Sequence, residues 1–259
     1  MNRGAEQSPP LRIGSVHYLN AAPLTYGLED QIHFTTPAQL AVLLRRDELD
    51  AALVSVSEVL LTDRYDILDG VAIAALGEVY SVLLAHKKPL AEAREIFCDT
   101  ASLTSVNLLK VLLAGRGLQP VFRPLESYDA AAGKDFVLLI GDRAIDFHRA
   151  AHPHQILDLG AEWQALTRLP FVFAVWALRR GLNQAALCRK LRAAKDNGLH
   201  HLDRIIRDRT EYDADFRRIY FERHIQYHLN AAAKRGLTRF GDLLRQHGLG
   251  PVYEPRFVG

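Results

Sequence analysis

The chain has 259 residues and 29.0 kDa, with 49% hydrophobic and 24% charged side chains, which excludes disordered and fibrous architectures and suffices for one large or two smaller domains. Its 32 basic and 30 acidic residues leave a formal charge of +2, too weak a field to argue for nucleic acid or an anionic membrane, so a small-molecule partner is expected. The two cysteines, Cys98 and Cys188, stand in no metal-ligand spacing, the N-terminal ten residues lack a signal-peptide core, and the longest apolar run, Phe171 to Leu178, is too short for a bilayer, so a reduced, cytoplasmic protein is expected.

Leu11 to Val16 reads as a buried strand, stopped by His17-Tyr18-Leu19-Asn20 and followed by a helix with Pro23 in its first turn. Thr36-Pro37 is an N-cap with proline at the first helical position, Leu40, Leu43 and Leu44 supply the apolar face, and Ala51 to Val54 returns as a strand before Ser57 caps another short helix. Val71 to Leu76 and Tyr80 to Ala85 are apolar segments, the second running into the polar break His86-Lys87-Lys88-Pro89. A second series follows: strands over Glu95 to Asp99, Val121 to Leu125 and Phe136 to Ile140, with helices over Ser105 to Ala114 and Tyr128 to Ala132 between them. Phe171 to Leu178 is a long strand, and everything after Arg180 is helical and charged. This order suggests two α/β lobes, the second inserted into the first: 11–85, then 86–175, then 176–259 returning to the first lobe, with crossings near Ala85 to Pro89 and Ala174 to Leu178.

In open α/β sheets ligands collect beyond the carboxyl ends of strands, and here those loops are rich in small polar groups: Tyr18 and Asn20, Ser55 and Ser57, Ser81, the run Asp99-Thr-Ala-Ser-Leu-Thr-Ser105, and Gly141-Asp142. Ser102, Thr104 and Ser105 combine hydroxyls with free backbone N–H groups at a helix start, a set suited to a carboxylate or phosphate, although simple capping needs only one of them. Capping competes at other positions too: Asp142 for a helix over Arg143 to Ala150, and Asn20 for the helix at Ala22 or Pro23, while Ser81 could merely satisfy a strand edge. His224 and His228 are spaced i, i+4 but lack the glutamate of a zinc-protease motif, so no metal site is expected; Trp163 and Trp176 suit core packing better than a pocket wall. Basic residues after Arg189 alternate with acidic ones as on a solvated face, and no nucleotide-binding or nucleophile-elbow motif occurs.

Five segments then carry a resemblance: Arg12-Ile-Gly-Ser-Val-His-Tyr-Leu-Asn-Ala-Ala-Pro-Leu24, Leu49-Asp-Ala-Ala-Leu-Val-Ser-Val-Ser57, Ser102-Leu-Thr-Ser105, Leu138-Leu-Ile-Gly-Asp142 and Trp163 through Trp176, with Gly236-Leu-Thr-Arg-Phe240 beyond them. Their order and spacing resemble the chorismate dehydratase family of the futalosine route to menaquinone. Two positions depart from that pattern: Leu103 stands where a basic residue is expected and Ser55 where proline is. The resemblance implies a two-lobed type II periplasmic-binding-protein-like fold closing on chorismate and requiring neither metal nor redox cofactor. Asn20, directly after the first strand, and Ser81, at the crossing toward the second lobe, are expected nearest the reacting bonds, and the loop residues Tyr18, Ser55, Ser57, Ser102, Thr104, Ser105, Gly141 and Asp142 around the substrate. The alternatives are a cytosolic module that binds a small carboxylate without reacting, and the related dihydroxynaphthoate-forming enzyme of the same pathway.

Overall fold

A computed structural model of the chain describes residues 11–99, 103–182 and 184–259. The first lobe opens with β1 (Ile13–Ser15), α1 (Ala22–Thr25), β2 (Ile32–Phe34), α2 (Pro37–Arg45), β3 (Ala51–Ser55), α3 (Val56–Leu60) and the long β4 (Tyr65–Ala75). The second comprises β5 (Val82–His86), β6 (Glu95–Cys98), α4 (Leu103–Ala114), β7 (Val121–Pro124), β8 (Phe136–Ile140), α5 (Gly141–Arg149), β9 (Gln155–Asp158) and α6 (Leu159–Thr167). The chain then returns through β10 (Phe171–Arg179), α7 (Gln184–His200), α8 (Leu202–Asp208), α9 (Ala214–Ile219), α10 (Ala231–Gln246) and β11 (Phe257–Val258).

Two sheets result, in the orders β11-β4-β10-β3-β1-β2 and β7-β6-β8-β5-β9. In the first, β1 lies parallel to β2 and β3, while β10 runs antiparallel between β3 and β4. In the second, β6 is parallel to β7 and β8, and β5 is antiparallel to β8 and β9. The central strands are apolar on both faces because helices cover both sides, and each large side chain so buried contributes about 1.5–3 kcal/mol. α7 packs on α1 and β4, and α10 packs on β10 and reaches α4, so the C-terminal helices support the first sheet and touch the second lobe.

Sheet membership moves the crossings. β5 pairs along its whole length with β8 and β9, and all of β10 lies in the first sheet, so the chain crosses at 76–81 and 168–170 rather than near Ala85 to Pro89 and Ala174 to Leu178. The His86-Lys87-Lys88-Pro89 break is the solvent end of a buried strand, and the Lys87 N–H bonds the Asp135 carbonyl at 2.8 Å. The Thr36 cap is present, its side chain accepting from the Gln39 N–H. Ser57, however, lies inside α3, whose N-cap is Ser55, because β3 turns directly into that helix. Trp163 and Trp176 are fully buried in the core, as are the two free cysteines. Among the described residues no helix is long and apolar enough to cross a membrane.

Candidate active site

The ends of β1, β3 and β8 meet the 76–81 crossing in a narrow cavity of about 70 Å³ between the sheets. Tyr18 and Asn20 enter it from the turn after β1, Ser55 from the end of β3, Ser81 from the crossing, Ser105 from the first turn of α4, and Gly141 from the β8–α5 junction. The remaining wall is apolar, with Val16, Leu53, Ile73, Val79, Ile140 and Phe173, and no described residue lining it carries a charge. A carboxylate here would be held by hydroxyl and amide donors in a low-dielectric setting, where such bonds are strong and unpaired groups costly.

Six of the expected residues therefore share one cavity. Ser57, Thr104 and Asp142 stand behind its wall, and Ser102 lies outside the described residues. The reason for Thr104 is a clasp across the lobes. Its Oγ1 accepts the Ser57 N–H at 2.8 Å and is bonded to Ser55 Oγ, which in turn accepts the Thr104 N–H at 3.0 Å. Each of the two hydroxyl oxygens thus accepts one backbone N–H from across the lobes, and the two hydroxyls share one further hydrogen bond in which either can be the donor. Ser57 contributes its backbone, and its own Oγ is buried without a partner.

Asp142 does not cap α5, which already begins at Gly141; its Oδ1 crosses the cleft to accept the Leu19 N–H at 3.1 Å. Gly141 holds φ +60°, and a Cβ there would meet the Tyr18 ring at 3.0 Å, so only glycine lets the two lobes approach so closely. Burial, with Asp99 and Asp142 nearby, pushes the Tyr18 phenol up to about 12, which makes it a donor and not a base near neutrality. Asn20 caps nothing: the N-cap of α1 is Ala21, and Asn20 Oδ1 is buried without a partner. Ser81 is buried, and its hydroxyl donates a long 3.4 Å bond to the Val79 carbonyl.

Burial also pushes the Asp142 carboxyl up to about 6, against the pull of the Leu19 N–H. A carboxyl raised in the folded state contributes stability that is complete below its unfolded value near 4 and is lost as the pH rises through 6. Asp142→Asn keeps the acceptor for Leu19 and removes the charge, so it should be more stable than the parent at pH 8, by at most about 3 kcal/mol. Thermal melts from pH 4 to 8 check this; the gap should close on the acid side, and a gap that stays constant with pH would refute it.

Two residues escaped sequence reading. Asp158 N-caps α6 through Gly160 and Ala161 and also accepts the Val79 and Tyr80 N–H groups at 2.7–3.1 Å, tying down the crossing that presents Ser81. Its cap was legible as an aspartate ahead of an apolar helix, but its grip on residues nearly eighty positions earlier was not. Tyr220 is a fully buried phenol behind Asn20 and Ser81, and its spacing from Phe216 reads simply as core.

Residues 11–246 match the menaquinone biosynthesis family. The chain belongs to that family. It is 34% identical over 264 residues to a chorismate dehydratase from Thermus thermophilus, with 91% of this chain and 95% of that protein aligned. Solved structures establish the architecture of this menaquinone biosynthesis family member. Protein AF1704 from Archaeoglobus fulgidus superposes with a TM-score of 0.74 at 19% identity, covering 92% of this chain and 98% of that one. The alkanesulfonate-binding protein SsuA from Xanthomonas axonopodis pv. citri gives 0.67 at 15%, covering 95% and 96%. The fold is the periplasmic-binding-protein-like one that the resemblance implied.

Proposed function

We propose that the cleft binds chorismate and eliminates water from it, giving 3-[(1-carboxyvinyl)oxy]benzoate. The observation that carries this reading is a cavity of neutral donors over apolar walls, set between two lobes of a chain so similar to a chorismate dehydratase. The hydrogen on ring carbon 3 is acidified through the adjacent double bond to the ring carboxylate. Its removal leaves an extended enolate whose charge gathers on the carboxylate oxygens, where hydrogen-bond donors lower the barrier. The carbon 4 to oxygen bond then breaks, the hydroxyl departs with a proton as water, and the ring becomes aromatic.

No described side chain of the cavity is a base at neutral pH. The substrate's enolpyruvyl carboxylate fits that role: desolvation by Leu53, Ile73 and Phe173 makes a carboxylate more basic, and the proton it collects is the one the departing hydroxyl needs. Tyr18, Ser55 and Ser105 hold carboxylate oxygens, while Asn20 and Ser81 fix the enolpyruvyl group over the hydrogen to be removed. Thr104, Ser57 and Asp142 act one step back, closing the lobes through Ser55 and Leu19. So narrow a cavity must open to admit its ligand, and the two crossings at 76–81 and 168–170 are the places to bend.

Incubating the purified protein with chorismate and following ultraviolet absorbance and mass tests the reading. Loss of one water with growth of a benzoate chromophore is expected. Binding without conversion would instead make the protein a small-carboxylate-binding module.

A further inference from the structure

Outside the cleft, the loop 209–213 joins α8 to α9 and is held in shape by the first lobe alone. The buried Arg217 guanidinium donates to the carbonyls of Ile206 at 2.8 Å, Glu211 at 2.9 Å and Tyr212. A buried cation is costly without such partners, so the arginine sets the path of the loop from inside. At its tip Tyr212 sits at φ +63°, a left-handed conformation that a tyrosine keeps only where its surroundings enforce it. Two side chains so presented meet the second lobe. The Tyr212 O–H lies 3.0 Å from Asp146 Oδ1 and 3.1 Å from the Asp142 carbonyl, and Asp213 Oδ2 accepts from Arg149 at 2.8 Å. Arg149 also lies over the Phe216 ring of α9, 4.7 Å from its centroid.

We propose that this loop is a preformed latch that holds the lobes closed before substrate arrives, with Tyr212 the positioning residue that seats α5 on the cleft. The proposal deepens the dehydratase reading, and its kinetic consequence rests on it. α5 begins with Gly141 and Asp142, so bonds to the Asp142 carbonyl and to Asp146, one turn on, fix the turn that sets Gly141 against the Tyr18 ring and Asp142 Oδ1 on the Leu19 N–H. The Ser55–Thr104 clasp ties α4 to the β3–α3 junction in the same way. Every partner in both ties is a protein group, so the chain itself supplies the free energy of closure. A ligand moves a two-state equilibrium only by its differential affinity for the two states; less of the substrate's binding energy is then drawn into moving the lobes, and more remains for the transition state. The consequence is that entry and release both wait on unlatching.

Tyr212→Phe removes the hydroxyl and keeps the ring, and Arg149→Gln removes the charge from an exposed side chain, so both variants should fold. Nitroxide labels at Asp30→Cys on the first lobe and Glu126→Cys on the second, both exposed, report the separation of the lobes by pulsed electron resonance, while Cys98 and Cys188 stay buried. Without ligand the parent should show mainly the closed distance, and the ratio of open to closed should rise about three- to tenfold in each variant. A parent that is mostly open, or variants with the parental distribution, overturns the proposal. The second readout is stopped-flow binding of the unreactive product, 3-[(1-carboxyvinyl)oxy]benzoate: association and dissociation should quicken together by about three- to tenfold, leaving Kd within about twofold. A faster dissociation alone, with Kd raised to match, would make Tyr212 a ligand contact and overturn the latch. A parent that neither converts chorismate nor binds the product would sink the dehydratase reading, and the distance measurement, which needs no ligand, would then decide the latch by itself.

Discussion

Asn20→Ala is expected to fold normally and to lose about 10²–10³ in kcat for chorismate, the usual consequence of removing a donor aimed at developing negative charge. Folding should be spared because Asn20 caps no helix and its buried Oδ1 has no partner to lose. Asn20→Asp should lose at least as much. It retains the size of asparagine but sets a carboxylate in an apolar cavity beside a substrate that already carries two, and no lysine or arginine lines the described wall to offset it. Steady-state kinetics with matched thermal melts are the measurement. If Asn20→Asp turns over chorismate like the parent, Asn20 plays no part in the chemistry and the polar centre of the cleft has to be sought around Ser55 and Ser105.

The local code was readable where one segment decides its own conformation. Phe136–Ile140 is a strand to the residue, because an uninterrupted run of branched and aromatic side chains buried on both faces has no alternative of comparable stability. β2, β9 and β11 escaped: each is two to four residues long, half-exposed, and exists only because a longer neighbour offers it a ladder. The crossings were misplaced for a related reason. β5 reads as a strand in either lobe, and only its pairing with β8 and β9 assigns it to the second.

At the site, chain position after a strand located Tyr18, Asn20, Ser55, Ser81, Ser105 and Gly141, since the geometry of parallel sheets brings such loops together. What a side chain does once there was not legible. Thr104 and Ser105 look equivalent in sequence, but Thr104 spends its hydroxyl on Ser55, 49 residues away, while Ser105 lines the cavity. Asp142 resembled an ordinary cap and instead reaches Leu19, 123 residues earlier.

The largest stability effect should come from Asp158. Its two oxygens accept four backbone N–H groups, from Gly160 and Ala161 in the first turn of α6 and from Val79 and Tyr80 in the crossing. The crossing needs such an anchor: Tyr80 sits at φ +65°, and a Cβ on Gly160 would meet the Gly77 carbonyl at 2.4 Å, so the peptide is packed tightly against the helix start in a conformation it would not adopt alone. Asp158→Ala removes a helix cap and strands buried donors, which together should cost on the order of 3 kcal/mol or more. At roughly 2–4 °C per kcal/mol for a domain of this size, the melting temperature should fall by about 6–12 °C. Asp158→Asn keeps an oxygen for the helix cap but turns an NH₂ toward the Tyr80 N–H, so it should be intermediate in stability. Because Ser81 follows Tyr80 directly, that milder variant should also lose turnover well below its melting temperature. A folded Asp158→Asn protein with parental kcat would show that the crossing holds Ser81 in place without its anchor.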